Sequence, residues 1–221
     1  IRSAKQYFAV NGYKKFSHEV MDLEALSNFR MEKYQEAREI FGKLGENPRY
    51  KEYSEFQIAE TYYNEGKFDL SFKGYNDLYE KNKKGKYALK SMYWGINILY
   101  IQEKYKDVIK KSGEFNLEYP ESSYLEDVNF YRADAYFKLN DIKSATKTYI
   151  QIYQGTTDEK LKNKTAKELT ILYYNVDDYE NANLWKEKIS NSNEKIYLSA
   201  LIYEKQGKID LAVVEYKKLI D

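Results

Sequence analysis

Seven times along the chain a bulky apolar residue is followed three places later by a small or slender one. The pairs are Ile1/Ala4, Tyr34/Ala37, Phe68/Ser71, Tyr105/Val108, Ile142/Ala145, Tyr179/Ala182 and Ile209/Ala212, at intervals of 33, 34, 37, 37, 37 and 30 residues. A period near 34 sustained over the whole length is the mark of a helix–turn–helix array in which each unit packs on its neighbours. Apolar residues at three-to-four spacing, broken by short polar turns, predict helices over 1–10, 14–30, 34–45, 51–65, 68–82, 86–102, 105–118, 122–139, 142–154, 158–176, 179–190, 194–206 and 209–220. The pattern therefore predicts an all-α solenoid of antiparallel helix pairs, half a repeat followed by six, as a single array over 1–221 that is a piece of a longer one.

The small positions have a packing reason. Two helices approach to roughly 8–10 Å only where a short side chain lies at the crossing. Ala4, Ala37, Ser71, Ala145, Ala182 and Ala212 supply it on the second helix of a pair, and Ala25, Ala59, Ala133 and Ala200 on the first, with Thr170 bulkier and Gly95 one place off register. Tyr62, Leu99, Tyr136, Tyr173 and Tyr203 should fill the space within each pair. Phe8, Phe41, Tyr75, Tyr149 and Tyr216 should pack against the following pair. Ser112 and Lys186 interrupt this last column, which predicts looser packing in those two units.

These positions resemble the tetratricopeptide repeat over essentially the whole chain. The segment 119–152, YPESSYLEDVNFYRADAYFKLNDIKSATKTYIQI, fits best. Its Pro120, Ser122 and Tyr124 are similar to the opening of repeats in bacterial cell-envelope proteins, those of the Tol–Pal-associated coordinator and outer-membrane assembly lipoprotein type. The resemblance implies a right-handed superhelix whose first helices line a concave groove for a partner's peptide or helix, and it favours a periplasmic or envelope location. Members that grip a terminal carboxylate do so with an Asn and several basic residues. The matching positions here hold Asp22, Leu26, Glu60, Asp134 and Ile171, with only Asn97 and Lys90 of the required kind, so that clamp is not assembled.

Two aromatic columns are expected on the groove side: Phe29, Tyr63, Tyr100, Phe137 and Tyr174, ending at Glu204, and Phe56, Tyr93 and Phe130, running from Asp22 through Lys167 to Tyr197. Such rings give a large contact area at low entropic cost and dominate interfaces. The competing reading is that neighbouring repeats cover them and they are core. Tyrosine fills 25 of 221 positions, so bias alone scatters it widely.

Composition narrows the chemistry. Lys+Arg number 36 against 35 Asp+Glu, which leaves no field to hold a polyanion, so nucleic acid is a poor partner. With no cysteine, disulfides, thiolate catalysis and Cys-ligated metals are excluded. His18 is the only histidine, too few nitrogen ligands for a metal site and surrounded by no nucleophile motif. Asp177 and Asp178 fall in a turn, where acids bond the backbone. Two basic clusters, Lys81–Lys86 and Lys160–Lys167, read as solvated surface. No apolar run approaches the roughly 20 residues needed to span a bilayer. The expectation is a non-catalytic, cofactor-free scaffold for a protein or peptide partner. The rival readings are a spacer that self-associates through its ends, or an accessory domain of a regulator.

Overall fold

A computed structural model of the chain describes residues 17–220. Among them are twelve helices and no strand: α1 (Ser17–Arg30), α2 (Tyr34–Leu44), α3 (Lys51–Asn64), α4 (Phe68–Lys81), α5 (Ala88–Ile101), α6 (Tyr105–Glu118), α7 (Leu125–Lys138), α8 (Ile142–Gly155), α9 (Glu159–Asn175), α10 (Tyr179–Lys186), α11 (Ser192–Lys205) and α12 (Ile209–Lys217). The helix expected over 1–10, with Ala4 and Phe8, lies outside the described residues. By compactness the chain divides into two units, Ile1–Asp107 with Leu117–Tyr119, and Val108–Asn116 with Pro120–Asp221. Within the first unit α1 to α5 each pack on the next, and within the second α7 to α12 do the same.

One turn recurs in all six pairs. The residue two places before each second helix has positive φ: Glu32, Gly66, Glu103, Asn140, Asp177 and Gly207. At each, its N–H donates to the carbonyl three residues back, and the next N–H to the carbonyl five back, as in Glu32 to Phe29 (2.9 Å) with Lys33 to Asn28 (2.9 Å). This left-handed cap satisfies the last carbonyls of one helix and reverses the chain into its partner. Only two of the six residues are glycine, so four repeats hold a side chain in a conformation that L residues rarely adopt.

The small positions are buried at the helix crossings. Ala25, Ala37, Ala59, Ala133, Ala145, Ala182 and Ala200 have no exposed surface. Ser71 joins them and uses its hydroxyl, donating to the Ala59 carbonyl at 2.9 Å. Phe41, Tyr75 and Tyr149 are fully buried as the bulky members. Ser112 and Lys186, which interrupt the column, are both buried, with Phe115 in the interior near the first. At Lys186 the contact is the weaker one expected: α10 packs less on α11 than α2, α4 and α8 do on the helices that follow them. Beside the second, Trp185 and Ile189 join the α7–α11 core.

The clearest departure from the expected boundaries is α10, which ends at Lys186 and not near 190. Lys188 and Ile189 donate to the carbonyls of Trp185 and Lys186, three residues back, which tightens the last turn. Ile189 thereby enters the core, and the Asn163 side chain accepts from both the N–H and the hydroxyl of Ser190 at 2.6 and 2.8 Å. Burial of one isoleucine and a fixed loop outweigh another half-turn of exposed helix.

Candidate binding surface

Within each unit the first helices of successive pairs meet through aromatic and polar side chains that recur at the repeat interval. In the first unit, Tyr53 on α3 donates to Asp22 on α1 at 2.5 Å. Tyr63 on α3 donates to Asn97 on α5 at 2.9 Å, and its ring lies 5.0 Å from Trp94. Phe29 packs at the edge of the α1–α2 core, edge-on to Tyr34 at 5.9 Å. Tyr100 meets Tyr105 edge-on at 6.3 Å.

In the second unit, Phe137 lies against the α7–α11 core. The Lys205 ammonium stands 4.5 Å above the Tyr174 ring, donates to the Tyr174 carbonyl at 2.8 Å and pairs with Asp177 at 2.7 Å.

Phe29, Tyr63, Tyr100, Phe137 and Tyr174 are each half-buried: one side is fixed by packing and the remainder is open. The other column differs. Phe56, Tyr93 and Phe130 are only 6%, 8% and 6% exposed. Phe56 is held between Tyr75 at 5.2 Å and Tyr87 at 5.1 Å. Phe130 lies between Tyr149 at 5.5 Å and the Lys164 ammonium, 3.7 Å over its ring. These three rings serve the fold and leave little area for a ligand. The first helix turns them inward because they lie before the small crossing position, Phe56 and Phe130 by three residues and Tyr93 by two, while the half-buried set lies four residues after it, or five for Tyr100.

Sequence reasoning passed over Trp94. It is half-buried between Tyr63 and Tyr93. Its signal was the register 57/94/131/168, one residue beyond the interior column, occupied by Gln57, Trp94, Tyr131 and Glu168.

Acidic groups sit among the rings. Asp134 is buried and accepts from Tyr149 at 3.4 Å. Burial pushes the carboxyl of Glu168 up, helped by the nearby Asp134 charge and opposed by Lys164, Lys167 and Lys138. Burial also raises Glu60, against Lys90 and a hydrogen bond from Gln57. A raised carboxyl means the folded chain holds the proton more tightly than the unfolded one, so stability rises as pH falls through the elevated value. Glu168→Gln should therefore melt above the wild type at pH 7, and the gap should close as pH approaches the ordinary glutamate value of about 4.3. Paired thermal melts across that range check it, and a gap independent of pH would refute the assignment.

Half of the eight lysines in the two basic clusters are ion-paired. Lys81 pairs with Glu55 at 2.9 Å, Lys83 with Glu80 at 3.3 Å, Lys162 with Glu159 at 2.8 Å and Lys167 with Glu194 at 2.9 Å. His18 stacks on Tyr50 at 5.4 Å and lies 3.2 Å from the Asn47 amide, a tether between α1 and the loop after α2. No described helix is long and apolar enough to cross a membrane.

No family model and no curated protein matches the sequence. Solved structures do match. PilW, described as a widely conserved type IV pilus biogenesis factor, superposes with a TM-score of 0.65 at 12% identity, over 91% of this chain and 91% of its own. PilF of Pseudomonas aeruginosa gives 0.64 at 13%, over 91% and 90%. MamA of Desulfovibrio magneticus, from its residue 41 to the end, gives 0.63 at 11%, over 77% and 92%. At these identities the likeness is one of fold, and the fold is the all-α tetratricopeptide-repeat array.

Proposed function

We propose that the chain is a non-catalytic interaction scaffold whose half-buried aromatics take an extended or helical segment of a partner protein. The observation that carries this reading is the split between the two columns. One set of rings is consumed by the core, while Phe29, Tyr63 and Tyr100 in the first unit, and Phe137 and Tyr174 in the second, stay half-open at the repeat interval. Rings fixed on one side lose little entropy when the other side is covered, the property that makes tyrosine effective in interfaces. Polar groups beside them, Glu60 and Asn97 among them, would register a peptide backbone. A role in cell-envelope assembly is supported by the similarity of the segment 119–152 to envelope repeats and by the fold shared with a pilus biogenesis factor.

Peptides selected on the purified chain from a random library provide the test. Tyr100→Ala and Phe137→Ala should each weaken the selected peptides by at least about tenfold, the scale of an interface hot spot, with helical content unchanged by circular dichroism. Undiminished binding by both variants would assign these rings to packing.

One observation favours a second reading, self-association. On α12 only Ala212 is buried, and Ile209, Leu211, Val213 and Val214 are exposed together. Light scattering over a range of concentrations separates the two: a mass fixed at the monomer value would remove this alternative.

A further inference from the structure

The second unit has a polar cavity of about 540 Å³ formed by α6, α7 and α8, a volume within the range of small-molecule sites. None of the aromatic columns lines it. Its wall carries Arg132, Lys147, Asn116, Asn129, Tyr136 and Gln151, with Glu126 as its one acid.

Arg132 is the anomaly. Its guanidinium is half-buried, yet no carboxylate lies within 4.0 Å among the described residues. Its polar contact is Nη2 to the Tyr136 hydroxyl at 3.3 Å, beneath a ring whose centroid is 5.6 Å away. The Nε–H is sealed from solvent and has no acceptor. Arg38, by contrast, is matched to Glu65 at 2.6 Å. A half-buried charge with neither counter-ion nor full hydrogen bonding is costly to keep.

A second orphan lines the same cavity. Asn116 donates its amide to Asn129 Oδ1 at 2.6 Å, and its own Oδ1 is buried without a donor. The lining thus holds an unmet donor on a cation and an unmet acceptor.

We propose that this cavity binds an α-amino acid unit, free or as the last residue of a peptide, through its carboxylate and the adjacent nitrogen. A modest turn of the Arg132 side chain presents its Nε–H and Nη–H edge to the two carboxylate oxygens, the bidentate match for which guanidinium is suited. Lys147, exposed on the rim, adds a second positive charge. The ligand nitrogen supplies the hydrogen that Asn116 Oδ1 lacks. A phosphate dianion fits worse, because it brings more negative charge toward Glu126. The site is independent of the aromatic surface, so either can fail without the other.

Titrations followed by nitrogen–proton NMR on the Arg132 Nε–H and the Asn116 side-chain amide test the idea on the whole chain. Glycine, N-acetylglycine, N-acetylglycinamide and inorganic phosphate are the probes. Glycine or N-acetylglycine should give saturable shifts at both groups, complete by about 10 mM for a dissociation constant of about 1 mM, and the uncharged amide should give none. Preference for glycine assigns the cavity to free amino acids, and preference for N-acetylglycine to peptide ends. Arg132→Lys should weaken binding at least tenfold. Lys147→Ala, at an exposed site that leaves the fold alone, should weaken it several-fold. No saturable shift from either acid, tighter binding of phosphate, or unchanged binding by both variants overturns the proposal.

Discussion

Tyr149→Ala should lower the stability of the second unit by about 3–5 kcal/mol, the cost of emptying a large aromatic site in a close-packed core. Tyr149 has no exposed surface and lies at the centre of a cluster that includes Phe130, Ala133, Ala145, Leu169, Leu172 and Trp185. Its small neighbours cannot spread to fill the void, because Ala133 and Ala145 sit where helices cross and those helices are already in contact. The hydroxyl matters less: its bond to Asp134 is long, at 3.4 Å, so Tyr149→Phe should cost about 1 kcal/mol. The difference between the two variants isolates the ring. In a repeat array stability is close to a sum of unit and nearest-neighbour terms, so the loss should be local. Hydrogen exchange should show α7 to α10 opening in Tyr149→Ala while α1 to α4, which share no residue with this cluster, keep their protection. Equal loss of protection in every helix would mean that the chain unfolds as one block and would contradict the local account.

Most helices were legible because bulky and small residues alternate at a fixed offset, and a crossing accepts nothing else. Within that register Ala37, Ala59, Ala145 and Ala182 fell where the sequence put them. The turns were legible as turns, but their conformation was not. Glu32 and Glu103 give no local hint of positive φ, and the constraint comes from the need to close one helix and start its partner within a few residues. The end of α10 was missed because Ile189 could equally extend an apolar helical face. The Asn163 side chain, far away in sequence, fixes the tight turn that buries Ile189.

The aromatic columns show a different limit. Phe56 and Tyr63 are both aromatic, both on α3 and both repeated 37 residues later as Tyr93 and Tyr100, so periodicity treats them alike. What separates them is the side of the crossing on which each falls, which depends on the helix pair and not on the residue. The Arg132 cavity was illegible for the opposite reason. Arg132, Asn116, Asn129 and Lys147 belong to no repeating column, and Asn116 comes from a different pair from Arg132 and Ser144, so nothing in the chain's rhythm singles them out.

Gly74→Val should destabilise the first unit by about 2 kcal/mol, within the usual cost of overpacking a tight contact. The ordinary expectation runs the other way, since replacing a helical glycine with almost any residue gains up to about 1 kcal/mol of helix propensity. Geometry reverses the sign here. A Cβ built on Gly74 would stand 2.9 Å from the Ala59 Cβ and 3.5 Å from its Cα, a closeness that no side-chain rotation relieves because both atoms are fixed to the helix axes. Parting α3 from α4 would also stretch the Ser71 bond to the Ala59 carbonyl, now 2.9 Å, one turn away on the same contact. Gly42 on α2 is the matched control: a Cβ there meets nothing within 4 Å, so Gly42→Ala should be neutral or stabilising by up to about 1 kcal/mol. Denaturant titrations of the two variants beside the wild type decide the matter through the sign of each shift. Opposite signs show that the glycine–alanine crossing sets the spacing of the pair, and a Gly74→Val variant as stable as wild type would show that the two helices can part without loss.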